Sequence, residues 1–218
     1  MSNYIQNLIE QMDFSSLGEA ALRVAAVFLC LTVHETCHGL AALALGDPTA
    51  KSMHRLSLNP LRHIDWFGLA MMFFLGFGWA KPVPVDPRYF KRPKQGMAVT
   101  ALAGPVSNLL LAAVLLFISK GIYLYAPYSD GMNILFQFLI STSVLSVGLG
   151  LFNLVPIPPL DGSKVLAAAL PDRAYDWLMR RERYGMLLLI VLSLADVGGG
   201  IINQAISVVW TGLYSLIY

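Results

Sequence analysis

Four long runs of apolar residues constrain the fold of this chain more than any other feature of its sequence. Each is long enough for a helix that crosses about 30 Å of hydrocarbon, which takes roughly 20 residues. The runs are Ala20–Leu45, Met97–Tyr125, Ile134–Pro156 and Met186–Tyr218. Charged residues make up only 13% of the chain, against about a quarter in soluble domains. The sequence therefore predicts an all-α polytopic membrane protein, a bundle of about four to six transmembrane helices, and lacks the alternation of a membrane β-barrel.

The segment near residues 66–85 departs from this helical pattern. Trp66–Trp79 is apolar but spans only about 14 residues, which suits a re-entrant or interfacial piece better than a full crossing. Gly76–Val85 contains two glycines and two alternating prolines, which favour a short β-hairpin or edge strand over a helix. The last apolar run is also ambiguous, because it forms either one long span or two half-spans that meet at Gly198–Gly200.

The chain reads as one membrane-embedded domain over residues 1–218. We expect a catalytic core over about 20–170 and C-terminal helices over 184–218. Met1–Glu19 is acidic and lacks the basic start of a cleavable leader, so none is expected. A net charge of only +2 argues against a nucleic-acid partner.

Basic residues are concentrated in Lys51–Lys94 and in a predicted loop at Arg173–Arg183, whereas Lys120–Asn133 is almost uncharged. The positive-inside rule then places the basic segments in the cytosol and the N-terminus outside. This orientation holds only if Trp66–Trp79 does not cross the membrane.

The first apolar run contains the pattern His34-Glu35-Thr36-Cys37-His38. Residues four apart lie on one face of a helix, so both imidazoles can bind one metal ion. Glu35 can hold a water beside that ion and take its proton. Placing an ionisable group inside a span costs about 2.5 kcal/mol or more, so three such groups within five residues indicate a functional site. The alternative is a structural polar cluster that is hydrogen-bonded to neighbouring helices.

A catalytic zinc ion usually has three protein ligands and one open position. The best candidate for the third ligand is Asp161, which follows the proline-rich end of the third apolar run. Such a break exposes backbone groups that must face protein or water rather than lipid, so it commonly lines a cavity. The competing candidate is Asp196 in the last run. The alternative for Asp161 is a structural role, as a turn aspartate before Gly162.

Several motifs in one order resemble the site-2 protease family of intramembrane zinc metalloproteases. The resemblance covers most of residues 31–166. Within the family, the chain is similar to the compact subgroup that has no PDZ or CBS domain. Its motifs are His34-Glu35-x-x-His38, Gly46-Asp47-Pro48-Thr49-Ala50-Lys51, Leu58-Asn59-Pro60-Leu61-x-His63-Ile64-Asp65, Gly78-Trp79-Ala80-Lys81-Pro82-Val83-Pro84-Val85, Ala103-Gly104-Pro105-x-Ser107-Asn108 and Asn153-x-x-Pro156-x-Pro158-Pro159-Leu160-Asp161-Gly162.

The resemblance implies that His34, His38 and Asp161 bind one zinc ion and that Glu35 is the general base. It also implies that Asn153 helps to hold the substrate or its oxyanion, with Asn108 in support. The alternative for each asparagine is an interhelical hydrogen bond.

The sequence assigns no catalytic role to the other two histidines, His54 and His63. His54 departs from the family pattern, in which glycine is frequent at this position, and reads as a solvated loop residue. His63 matches the pattern and reads as a structural residue.

The function implied is hydrolysis of a peptide bond within or next to a transmembrane segment of a membrane protein substrate. The substrate is expected to pair with Gly76–Val85 as an added strand. We expect a multi-pass protein that lies in the lipid bilayer of a prokaryotic cell membrane. Whether it forms a homo-oligomer or binds a regulatory membrane partner is left open. The alternative functions are a membrane metal transporter that uses the same ligands, a di-iron oxidase, for which four histidines are too few, and a catalytically inactive relative.

Overall fold

The computed structural model describes residues 17–68, 80–180, 182–195 and 198–218. Within these ranges the regular structure is helical. The α-helices are α1 (Leu17–Ala44), α2 (Thr49–Ser52), α3 (Pro93–Tyr125), α4 (Asp130–Asn153), α5 (Asp161–Ala168), α6 (Asp172–Arg180), α7 (Glu182–Leu194) and α8 (Gly199–Ile217). Two short 3-10 turns lie at Pro60–Arg62 and Pro87–Tyr89.

Among the described residues, four helices are long and apolar enough to cross a membrane: α1, α3, α4 and α8. This number lies at the lower end of the predicted range and confirms an all-helical, multi-pass membrane protein. The sequence placed the first three spans within a few residues of their observed bounds, whereas the last predicted run, Met186–Tyr218, also includes a separate helix before α8. Local signals explain the differences, since Pro93 begins α3 early and the Ser129 side chain caps the N-terminus of α4.

The centre of the bundle is α3, which packs most extensively against α4, α1 and α5. Its apolar core joins α3, α4 and α8 around the fully buried Trp210, whose indole N–H donates to Ser143 Oγ at 2.8 Å. Small polar residues line the α3–α4 contact, including the fully buried Ser146. Small side chains let helices approach closely in a membrane, where burial of apolar surface cannot drive association.

The predicted β-hairpin or edge strand near residues 66–85 is wrong over the part that the structure describes. Residues 80–85 form neither strand nor helix, and residues 69–79 lie outside the described ranges. Because a residue before proline favours extended backbone, Pro82 and Pro84 favour it here, and we call residues 80–85 the extended segment. The physical reason is that Pro82 and Pro84 lack an N–H, so this stretch has too few donors for a ladder. Lys81 N–H donates to His63 O at 2.9 Å instead.

In the C-terminal region, the structure decides between one span and two for the last apolar run and corrects the predicted loop at Arg173–Arg183. The last apolar run forms two helices, α7 and α8, and Gly198 takes a left-handed φ of 86° directly before α8. The predicted basic loop Arg173–Arg183 is wrong, because Asp172–Arg180 is helical. Its acidic start and basic end suit the helix dipole.

The motif that begins at Gly46 ties the end of α1 to the segment that precedes α3. Asp47 is fully buried. One of its carboxylate oxygens accepts the Thr49 N–H at 2.9 Å, and the other accepts the Asp86 N–H at 2.7 Å. A single carboxylate thus closes the turn after α1 and fastens the extended stretch alongside it.

Candidate metal centre

The two predicted histidine ligands project from one face of α1. His34 and His38 are one turn apart, and both side chains are buried. Their rings meet edge to face with centroids 4.5 Å apart and an interplanar angle of 88°. The two Nε2 atoms are 2.9 Å apart, so they point at a common position.

Asp161 reaches the same position from a different part of the chain. After α4 ends at Asn153, the chain turns through its proline-rich segment and Asp161 begins α5. The Asp161 Oδ2 atom lies 3.1 Å from the Nε2 atoms of both His34 and His38. The structure therefore brings the three predicted ligands together, and they are the only such group found among the described residues. The competitor, Asp196, lies outside these residues.

The three converging atoms form a triangle whose size suits a zinc ion. Its edges are 3.1, 3.1 and 2.9 Å. A point equidistant from all three corners lies at least about 1.75 Å from each, below the roughly 2.0–2.1 Å of zinc–nitrogen bonds. An ion can thus sit slightly above the plane at ordinary bond lengths, with its remaining side open. Two imidazoles and one carboxylate are also a common donor set for catalytic zinc.

Asp161 supplies the anionic ligand of the set. Its side chain is buried and contacts both imidazoles, and an ionised carboxylate is the form that binds metal.

Each imidazole is also held through its second ring nitrogen, on the side of α3. His38 Nδ1 donates to the backbone carbonyl of Thr100 at 2.7 Å. His34 Nδ1 lies 3.1 Å from the amide of Asn108. Such outer partners fix the orientation of metal-binding histidines. The sequence did not reveal Thr100, because its contribution is a backbone carbonyl that any residue type supplies.

Two glycines leave the space that the centre needs. A Cβ at Gly104 on α3 would lie 2.5 Å from His38 Cε1 and 2.6 Å from His34 Nε2. A Cβ at Gly162 would lie 2.1 Å from the backbone oxygen of Leu154. The first glycine admits the two rings, and the second lets α5 begin close to the end of α4.

Gly104→Ala is expected to weaken zinc binding about tenfold or more. The added methyl must displace at least one imidazole, whereas metal–ligand distances tolerate only about ±0.2 Å. Chelator competition on purified protein measures the zinc dissociation constant. Gly121→Ala is the matched control, since it lies on the same helix and its Cβ would meet nothing within 4 Å. Equal zinc affinity in both variants would contradict this account.

Glu35 lies at the edge of the centre and contacts the extended segment. Its side chain is buried, and Oε2 accepts the Val83 N–H at 2.8 Å. The second carboxylate oxygen is not engaged by this bond. The backbone of Val83 therefore holds Glu35 in place, and this partner too has no side-chain signature in the sequence.

The loop before this segment is fastened to α1 next to Glu35. The backbone oxygen of Ser57 accepts hydrogen bonds from the Thr36 hydroxyl at 3.1 Å and from His63 Nε2 at 2.8 Å. His63 thus has the structural surroundings expected of it. His54 is exposed and has a φ of 55°, a conformation that glycine adopts without strain.

The two predicted substrate-binding asparagines occupy different places. Asn108 is fully buried behind His34, away from the converging ligand atoms. Asn153 is the last residue of α4, and its Nδ2 donates to the Leu149 carbonyl of its own helix at 2.9 Å. The structure records no contact between Asn153 and the three candidate ligands, so its role stays a prediction.

Helices long enough to span a membrane, together with two imidazoles and a carboxylate around one zinc-sized position, are the features of a membrane metalloprotein. The family model described as peptidase family M50 matches residues 121–195. YwhC of Bacillus subtilis strain 168, whose name gives it as a candidate zinc metalloprotease, is 37% identical over 180 residues. That match covers 80% of this chain and 81% of the relative. The chain belongs to peptidase family M50 and is a zinc metalloprotease, which confirms the resemblance.

More distant relatives carry similar names. Rip2 of Mycolicibacterium smegmatis, also named as a candidate zinc metalloprotease, is 28% identical over 185 residues, covering 82% of this chain and 68% of the relative. Zinc metalloprotease MJ0392 of Methanocaldococcus jannaschii is 33% identical over 88 residues, covering 40% of this chain and 24% of the relative. No solved structure matches the chain. These names favour hydrolysis over the alternative of metal transport.

Proposed function

We propose that this protein hydrolyses a peptide bond within or next to a transmembrane segment of a membrane protein substrate. The observation that carries the proposal is the position of the candidate zinc ligands along α1. Ala44 ends α1 ten residues after His34 and six residues after His38. At a rise of about 1.5 Å per residue, the two histidines lie roughly 15 and 9 Å before the end of the helix.

This depth separates the site from bulk water. The hydrocarbon layer of a bilayer is about 30 Å thick, whereas the 28 residues of α1 extend about 42 Å. With α1 centred in the bilayer, about 6 Å of helix projects on each side, so the two histidines lie about 3–9 Å below the hydrocarbon surface. Asp161 meets them there because the chain breaks at the end of α4 rather than continuing as a helix. A peptide bond that enters such a site comes most directly from a segment that already lies in the membrane.

We assign His34, His38 and Asp161 to the zinc ion and Glu35 to the attacking water. The bound zinc supplies a Lewis acid for the scissile carbonyl and for the attacking water. Glu35 takes a proton from that water and later delivers it to the leaving amine nitrogen. The Val83 N–H holds one oxygen of the Glu35 carboxylate, which fixes the direction of the other.

We also assign the oxyanion role to Asn153. It lies at the helix break that leads to Asp161, and an amide donor in a water-poor site stabilises developing negative charge. One N–H of its Nδ2 donates to the Leu149 carbonyl, and the same amide group has a second N–H that can donate to an oxyanion.

The expected pairing of substrate with the extended segment finds no support in its described part. Lys81 N–H is taken by His63 O and Val83 N–H by Glu35, while the side chain of Arg55 donates to the Lys81 and Pro82 carbonyls. An added strand would have to displace these partners. Residues 76–79 of that segment lie outside the described ranges.

A matched pair of reporters tests the proposal. One peptide sequence is placed within the transmembrane helix of a reporter and, separately, in a soluble linker, and both are given to the purified protein in liposomes. Zinc-dependent cleavage is expected in the transmembrane reporter, at least about tenfold faster than in the soluble one, because the site lies within the hydrocarbon. Equal cleavage of both would refute intramembrane specificity while leaving the peptidase activity intact.

A further inference from the structure

We infer that Asn108 positions the metal centre through His34 and does not bind substrate. The inference rests on the proposed zinc site and deepens it by assigning the amide oxygen of Asn108 as the acceptor for the His34 Nδ1–H. That bond directs the opposite ring nitrogen, Nε2, at the ion.

The placement of Asn108 carries the first step. Its side chain is 0% exposed and extends from α3 to within 3.1 Å of His34 Nδ1. The other nitrogen of the same ring, Nε2, lies 3.1 Å from Asp161 Oδ2. Asn108 and Asp161 therefore contact opposite nitrogens of one imidazole. A substrate that approaches the ligand atoms has this ring between itself and Asn108.

The chemistry of a metal-bound imidazole carries the second step. A histidine that binds metal through Nε2 must carry its proton on Nδ1, and that N–H needs an acceptor. The carboxamide of asparagine has one acceptor, Oδ1, and Oδ1 of Asn108 is buried and has no hydrogen-bond partner in this orientation of the amide. Since the nitrogen and oxygen of an amide are assigned from the hydrogen-bond network, a half-turn of the group places Oδ1 against Nδ1. This half-turn pairs Oδ1 with the Nδ1–H of a metal-binding His34 and moves Nδ2 to the position that Oδ1 occupied.

The second histidine supplies a parallel within the same site. His38 Nδ1 donates to the Thr100 carbonyl at 2.7 Å, so a neutral acceptor already holds the corresponding nitrogen of that ring. Both acceptors come from α3, eight residues apart along the helix. On this assignment α3 orients both imidazoles, once through its backbone and once through a side chain.

The position of Asn108 is itself secured from α4. The Ser146 hydroxyl donates to the backbone carbonyl of Asn108 at 2.8 Å, and both residues are fully buried. The helix that carries the acceptor therefore cannot slide along α4 without breaking this bond. Such rigidity suits a residue whose task is to orient a ligand.

Zinc affinity measured without substrate distinguishes a positioning role of Asn108 from a substrate-binding role. Asn108→Leu keeps the approximate volume and removes the acceptor, so we expect zinc binding to weaken about 10–100-fold, as for other outer partners of zinc ligands. Asn108→Asp keeps an oxygen acceptor in the same place, and we expect affinity within about threefold of wild type or tighter, since carboxylate–histidine–zinc arrangements are common. Ser119→Ala, also fully buried on α3, is the control and should bind zinc like wild type.

The measurement is a chelator competition in detergent, repeated with cobalt absorbance to report the geometry of the centre, and circular dichroism checks that each variant is helical. A folded Asn108→Leu variant with wild-type affinity would overturn the inference. So would equal losses in the Leu and Asp variants, which a purely structural role predicts. A substrate-binding role predicts unchanged zinc affinity and slower turnover in both. Failure of the wild type to bind zinc would instead refute the proposed site itself.

Discussion

Glu35→Gln should abolish peptide hydrolysis while leaving zinc bound. The glutamine amide keeps the size of the glutamate and retains an oxygen that can accept the Val83 N–H, so the 2.8 Å contact with the extended segment survives. It cannot take a proton from the attacking water. General base catalysis contributes about 10²–10⁴-fold to such reactions, and we expect a loss of that size in the rate of reporter cleavage.

The informative measurement pairs the cleavage rate with zinc content in the same preparation. Full zinc occupancy with lost turnover assigns Glu35 to proton transfer and not to metal binding. Turnover that is unchanged in the variant would remove Glu35 from the mechanism. Loss of zinc together with activity would show that the carboxylate supports the centre structurally.

Asp161→Ala should release the zinc ion. This change removes one of three candidate ligands and leaves the His34 and His38 Nε2 atoms 2.9 Å apart with no anionic partner. A catalytic zinc site depends on three protein ligands. The loss of affinity is therefore expected to exceed the roughly 10–100-fold that follows removal of an outer partner. Metal analysis after dialysis, together with a chelator competition, measures the effect.

Asp172→Ala is the matched control for this change. Asp172 is eleven residues further along and pairs with Lys94, but its side chain is 91% exposed. Removing it deletes the same charge from the same region, so zinc affinity should remain that of wild type. If Asp161→Ala retained zinc as well as this control does, the third ligand would have to lie elsewhere, and Asp196 would become the first residue to test.

The extended segment before α3 provides a further contrast between local pattern and tertiary context. Its prolines indicated correctly that residues 80–85 form no helix. They did not indicate the partner. A β-strand was expected to pair with another strand, whereas Val83 and Lys81 pair with Glu35 and with the His63 carbonyl. Period and propensity describe one stretch of chain, and neither contains information about which distant group meets it.

The prediction of a loop at the basic segment Arg173–Arg183 was wrong for a different reason. Charge density suggested a loop, yet Asp172–Arg180 is helical. Charged residues do not oppose a helix when one face is exposed, and their order along this one suits the helix dipole. A high density of charged residues is therefore compatible with a helix here, although the membrane-spanning helices of the same protein are apolar.

Hydrophobic length and spacing along the chain were sufficient to establish four features of this protein. These are its helical membrane class, its main spans, the pair of histidines that share one face of α1, and the glutamate beside them. All of them depend on interactions within about one span or one helical turn, which local sequence encodes. The long-range features needed the packed structure. They include the contact of Asp161, until then one of two candidates, with His34 and His38, the burial of Asn108 behind His34, and the backbone groups of Thr100 and Val83 that hold His38 and Glu35. Backbone donors and acceptors are the same in every residue type except proline, so only the arrangement of the helices reveals which of them take part in the site.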